Sequence, residues 1–124
     1  MLPVVIGVLS AVAIAALARS TGFDRDRSFY PTVLVVIAAY YILFAVMGGS
    51  RQALAWEIVV AVAFSTVAIT GALRLPLLVG VGIFSHGLFD FIHYMMIQDA
   101  GVPDWWPGFC GSLDVVLGLW VIGL

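Results

Sequence analysis

Long apolar runs separated by short polar segments make up nearly the whole chain. A membrane span needs roughly 20 mostly apolar residues, with a working range of about 17 to 25, and five runs meet this requirement. Their predicted limits are residues 2–18, 31–47, 53–73, 75–97 and 108–124. The pattern therefore predicts an all-α integral membrane bundle of about five transmembrane helices, built as a single domain over residues 1–124. The last run is short and contains Asp114, so four spans with an interfacial fifth segment remain an alternative.

The segments between the runs carry residues that begin or end helices. The charged stretch from Ser20 to Ser28 follows the first run. Pro31 suits the first turn of the second helix, because its missing N–H would be unpaired there anyway. Gly48-Gly49-Ser50 closes the second run, and Arg74 with Pro76 marks the turn into the fourth.

Composition excludes a water-soluble domain. The 124 residues are 64% hydrophobic and 10% charged, with a mean hydropathy of +1.18, whereas soluble domains carry about 25% charged residues. The net charge of -2 gives no basic patch for nucleic acid. A single cysteine, Cys110, excludes an intramolecular disulfide and any multi-cysteine metal site. The expected partner is the lipid bilayer.

Arginine placement predicts the orientation in the membrane. Arg19, Arg25 and Arg27 lie in or beside the first connection and Arg74 in the third, whereas only Arg51 lies in the second. Because positive residues favour the cytoplasmic side, we expect a multi-pass protein of the cell inner membrane. Its N-terminus is then outside and its C-terminus cytoplasmic.

The fourth connection is then on the outer side, where Trp105 and Trp106 fit the aromatic belt at the headgroups. A cleaved signal peptide remains an alternative for the first run, since Ala16-Leu17-Ala18 resembles a cleavage site. Against it, no basic residue precedes the apolar run.

Five ionisable side chains fall inside the predicted spans: Glu57, His86, Asp90, His93 and Asp114. Such residues are costly in a bilayer and tend to face the bundle interior. The His-x3-Asp-x2-His spacing places three of them on one face of the fourth helix. The third and fifth spans begin where the fourth ends, so Glu57 and Asp114 are expected in the same half of the bundle.

Imidazole and carboxylate are common ligands of zinc and iron, and helix bundles often hold such ions in their cores. We therefore expect His86, Asp90 and His93 to ligate zinc or iron, with Glu57 and Asp114 as catalytic residues that move protons. Metal-dependent hydrolysis or oxidation of a lipid-soluble substrate is the matching reaction class.

Other interpretations of the same residues remain open, and the sequence does not decide whether the protein is an enzyme. No cofactor is needed if Asp90 accepts a hydrogen bond from a histidine, Glu57 pairs with Arg51 and Asp114 begins a shorter interfacial helix. The protein would then be a non-catalytic accessory subunit of a larger membrane complex, or a homo-oligomer. A small proton or ion pathway is a third hypothesis.

Two further features bear on the site. Tyr40 and Tyr41 lie in mid-span, where one hydroxyl would reach the polar cluster or both rings would simply pack. Gly80, Gly82 and Gly87 indicate close helix approach on the fourth helix, within one chain or between subunits.

Three motifs resemble small multi-pass bacterial inner-membrane proteins of unknown function. They are Arg-Ser-Phe-Tyr-Pro at residues 27–31, the Tyr40-Tyr41 pair, and Ser-His-Gly-x2-Asp-x2-His at residues 85–93. The resemblance spans most of the chain and implies no activity. The His/Asp pattern is also similar to membrane-embedded, metal-dependent hydrolases that include alkaline ceramidases. Those proteins have more helices and further histidines, whereas this chain has only His86 and His93.

Overall fold

The computed structural model describes all residues 1–124 and contains five α-helices, one short 3-10 turn and no strand. The helices are α1 (Leu2–Thr21), α2 (Phe29–Gly48), α3 (Arg51–Leu73), α4 (Pro76–Met96) and α5 (Trp106–Ile122). The all-α prediction is confirmed. Helices α1 to α4 are long and apolar enough to cross a membrane, whereas α5 is apolar but has only 17 residues.

The helix ends follow local backbone chemistry rather than polarity. Helix α1 runs past its predicted end at Ala18, because polar residues do not stop a helix, and finishes where Gly22 adopts a left-handed conformation with φ 82°. Gly49, with φ 75°, ends α2 in the same way. The Ser50 side chain then accepts a 3.1 Å hydrogen bond from the Ala53 N–H and caps the start of α3.

Short connections make the helices alternate in direction. We call the end of the bundle where α2 and α4 finish and α3 and α5 begin the upper end, and the opposite end the lower end. Helix α4 lies centrally, in contact with α5, α3 and α2, while α5 lies between α4 and α1. Helix α5 is therefore an internal helix of the bundle and not a segment at its periphery.

Glycines allow α4 and α5 to approach closely. A Cβ atom at Gly87 would lie 2.8 Å from the Val115 backbone nitrogen, and one at Gly118 would lie 2.5 Å from the Phe84 nitrogen. Both distances are shorter than van der Waals contact. The small-residue faces of these two helices are thus used for packing within one chain.

Apolar residues fill the bundle below and around the polar side chains. At the lower end, Leu34, Ile83 and Leu117 are completely buried in one apolar cluster. A second cluster, towards the upper end, includes Trp106, which is buried, whereas Trp105 is 53% exposed. The Trp106 ring packs against Phe44, Tyr40 and Tyr41 of α2, so of the two tryptophans predicted to form an interfacial belt only Trp105 is exposed.

Candidate metal-binding site

Three ionisable side chains from α4 and α5 meet in the middle of the bundle. The His86 Nδ1 atom lies 2.8 Å from Asp114 Oδ2 and 3.5 Å from Asp90 Oδ2. One ligand atom from each residue lies within 4.8 Å of the other two, and all three residues have no exposed surface. We call His86, Asp90 and Asp114 the deep triad.

Residues from two elements hold the deep triad in place. The Tyr41 hydroxyl, from α2, donates a 2.5 Å hydrogen bond to Asp90 Oδ1, which leaves Asp90 Oδ2 facing the imidazole. On α5, the Cys110 thiol lies one turn before Asp114 and donates to its Oδ2 at 3.6 Å. Gly87 admits α5 at this level, since the absent Cβ would lie 2.9 Å from the Asp114 Cβ.

A second group lies nearer the upper end. The His93 Nε2 and Glu57 Oε2 atoms are 2.7 Å apart, and both residues are buried. Asp99 follows the end of α4, and its loop folds back so that Asp99 joins this group. We call Glu57, His93 and Asp99 the upper triad. His93 and Asp99 also line an opening at the upper surface, which connects the upper triad to the outside of the bundle.

The structure divides the predicted ligand set between these two groups. His86 and Asp90 lie together as predicted, but His93 lies with Glu57, and Asp114 takes its place beside His86. The physical reason is helix rise, because seven residues separate the two histidines by about 10.5 Å along α4. In this structure each imidazole faces a different acid, His86 towards Asp114 and His93 towards Glu57.

Some site residues were predicted and others were missed. Tyr41 does reach the polar cluster, whereas Tyr40 is 41% exposed. Asp99 was not among the predicted site residues, and Cys110 carried no expected role. The only sign of this position in the sequence is the nearby Gly101, which indicates a turn. In the structure the Gly101 N–H donates a 3.1 Å hydrogen bond to Asp99 Oδ1 where the loop turns back. Glu57 pairs with His93 and not with Arg51.

The two triads are linked by an aromatic ring but not by a continuous hydrogen-bonded chain. The Tyr41 ring stacks on the His93 imidazole with centroids 4.0 Å apart, while its hydroxyl contacts Asp90. The deep and upper triads are therefore adjacent, and a movement of Tyr41 would change its contacts with both.

No arginine or lysine side chain lies beside the buried acids, and their partners are the two histidines. Glu57, Asp90 and Asp114 are buried, whereas all five arginines are exposed and the chain has no lysine. Several buried polar atoms of the deep triad, including Asp90 Oδ2 and Asp114 Oδ1, also lack a hydrogen-bond partner. Buried carboxylates without a compensating charge are costly, so this arrangement is suited to binding a cation.

No protein-family model, curated protein or solved structure matches the chain with significant similarity. The chemistry of the site therefore follows from its own residues.

Proposed function

We propose that this is a multi-pass membrane protein that binds one zinc or iron ion at the deep triad. The bound ion would serve the hydrolysis or oxidation of a lipid-soluble substrate. The observation that carries the proposal is the convergence of one imidazole and two carboxylates in a fully buried place that no arginine or lysine reaches.

The distances suit a transition-metal ion. Ligands bound at about 2.0–2.2 Å in a tetrahedral arrangement lie roughly 3.4 Å from one another. The 3.5 Å between His86 Nδ1 and Asp90 Oδ2 matches this separation, and the 2.8 Å to Asp114 Oδ2 is a hydrogen bond that a bound ion would replace. A mixed imidazole and carboxylate set favours zinc or iron over calcium or magnesium, which prefer oxygen ligands alone. Three protein ligands leave a fourth position for water or substrate, as in catalytic zinc sites.

Each residue then has a distinct role. His86, Asp90 and Asp114 hold the ion, and Tyr41 is a positioning residue that orients Asp90. When bound, the ion would act as a Lewis acid that activates water or oxygen. Glu57 and His93 would hold and release protons beside the upper opening, one aromatic ring away from the deep triad. Asp114 thereby moves from the predicted catalytic role to that of a ligand.

The same features argue against the alternative functions. An ion pathway would need polar groups below the deep triad, but the residues next towards the lower end, Ile83, Leu34 and Leu117, are apolar and fully buried. A subunit role would use glycine-rich helix faces to pack against another chain. Gly87 and Gly118 already pack α4 against α5 within this chain.

The arginines suggest which end of the bundle faces the cytoplasm. Arg19, Arg25, Arg27 and Arg74 belong to the lower connections, and Arg51 alone lies at the upper end. The upper opening would then face the outside of the cell inner membrane, so protons would be exchanged with that side.

The test is the metal content of protein purified in mild detergent without chelator. We expect about one zinc or iron ion per chain in the wild type and in Asp99→Asn, and no bound ion in Asp114→Asn, since only the last substitution removes a ligand carboxylate. Both substitutions make the same change and keep the size of the side chain, so Asp99→Asn is the matched control for Asp114→Asn. A metal-free wild type, or an ion lost in Asp99→Asn but kept in Asp114→Asn, would overturn the proposal.

A further inference from the structure

A groove runs along the side of the bundle between α1, α2 and α5. It has a volume of about 720 Å³ and is open to the side. Of its 14 lining residues, 11 are hydrophobic, and its floor is formed by buried residues such as Ile37 and Leu113. The groove is not part of either triad.

The length and polarity of the groove match one leaflet of a bilayer. From Phe29 to Tyr40 it follows α2 for about 16 Å at 1.5 Å per residue, close to half of a hydrocarbon core about 30 Å thick. Its clearly polar lining is at the lower end, where Asp26, Ser28 and Thr32 lie. The remainder is faced by aliphatic and aromatic side chains.

The lower end carries charges that suit a phospholipid headgroup. The Ser28 backbone N–H and then its hydroxyl donate to Asp26 at 2.9 and 2.8 Å, and they hold the pKa of that carboxyl below its usual range. Asp26 therefore stays negative at neutral pH, while the neighbouring exposed Arg25 and Arg27 are positive. Asp26 shares a neighbouring pocket with Arg25 and Arg27, so this end of the groove offers a carboxylate and nearby guanidinium groups to the amine and phosphate of a zwitterionic headgroup.

The upper end of the groove reaches the candidate metal site. Cys110 lines the groove and its thiol donates to Asp114 of the deep triad. The aromatic rings of Trp106 and Tyr40 pack against each other with centroids 5.2 Å apart and lie at the upper end of the groove. An acyl chain lying in the groove would thus end beside Cys110, whose side chain contacts the deep triad.

We propose that the groove binds one acyl chain of a membrane phospholipid, with the headgroup at Asp26 and the chain end beside Cys110. The surrounding medium supports this occupant, because the groove lies on membrane-spanning helices and opens where acyl chains are the solvent. As a statement of substrate class, the inference rests on the proposed metal site. It places the end of the acyl chain, rather than the headgroup, nearest the deep triad.

The experiment uses vesicles containing phosphatidylethanolamine with a photoactivatable diazirine at the end of one acyl chain. After illumination, adducts are located by peptide mass spectrometry. In the wild type we expect adducts to concentrate on the α5 segment around Cys110. Val36→Trp, which fills the groove, should reduce them several-fold. Val35→Trp adds the same ring one residue away, outside the groove, and should leave them unchanged.

Two results would overturn the inference. One is an adduct pattern spread evenly over lipid-facing residues such as Val59, with no response to Val36→Trp. The other is a dimer in native mass measurements that Val36→Trp dissociates, since the groove would then hold a second copy. The metal content of each variant separates the two proposals. A wild type without metal but with groove adducts would refute only the metal site, whereas a metal-bound protein without groove adducts would refute only the groove.

Discussion

At the scale of single residues, the deep triad depends on where two carboxylates point. Asp90 and Asp114 come from different helices, and each places an oxygen near the same nitrogen of His86. Removing one ion from water costs several kcal/mol even after relaxation, so two adjacent buried carboxylates are a poor choice for stability alone. A residue that fixes one of them in this position therefore matters to ligand geometry more than to folding.

Tyr41 is that residue, and its hydroxyl gives a testable prediction. Tyr41→Phe keeps the ring that stacks on His93 and removes only the hydrogen bond to Asp90. We expect affinity for the metal ion to fall by about 10–100-fold, the usual effect of losing an outer-shell partner. Competition with a chelator of known affinity measures it. Tyr40→Phe, at an exposed position with no such bond, is the control and should match the wild type; equal affinity in all three proteins would show that Tyr41 does not position Asp90.

At the scale of helices, the site depends on how closely α4 and α5 pack. The two helices meet through Gly87, at the level of Asp114, and through Gly118, about one turn below it. Separation of these helices by even a methyl group would move Asp114 away from His86. Packing and ligand geometry are therefore coupled in this pair.

Gly118→Ala tests the coupling. Alanine stabilises a helix interior by up to about 1 kcal/mol relative to glycine, but here its Cβ would lie 2.5 Å from the Phe84 nitrogen. We expect the clash to dominate, with a net destabilisation of about 1–3 kcal/mol and weaker metal binding. Thermal unfolding in detergent measures the first effect. Gly123→Ala, where the nearest atom would lie 3.5 Å away, should be neutral. A Gly118→Ala protein more stable than the wild type would contradict the packing described here.

Sequence reasoning predicted the helices far better than the site. Hydrophobic runs predict spans because few other structures satisfy the backbone in lipid, and the spacing of His86 and Asp90 correctly placed both on one face of α4. The division into two triads was not predictable, because it depends on which turn of α5 lies opposite which turn of α4. Asp99 was missed because its position depends on a loop that folds back, and loops carry no helical period.

At the scale of the whole molecule, polar chemistry is confined to the upper half. The upper triad lies beside an opening, the deep triad lies below it, and buried apolar residues such as Ile83 and Leu117 close the lower half. Access of water and protons to the site should therefore be from one side only.

The distribution of the arginines predicts that the upper end faces the outside of the membrane, and labelling of intact cells tests this orientation. In a Cys110→Ser background, a cysteine at an exposed position of either end reports its location. We expect Ala100→Cys, in the upper connection, to react with a membrane-impermeant maleimide. Ser20→Cys, in the last turn of α1 at the lower end, should react only after the membrane is permeabilised. The unchanged Cys110 protein should stay unlabelled, because its thiol is buried. The reverse pattern would place the upper end in the cytoplasm.

X-ray absorption spectroscopy of the metal-loaded protein tests the deep triad most directly, because it detects the ligands themselves. We expect a single imidazole nitrogen together with oxygen ligands, at about 2.0–2.2 Å if the metal is zinc. A spectrum requiring two imidazoles would contradict it, since His86 and His93 belong to different triads. A spectrum with no imidazole would equally place the ion elsewhere.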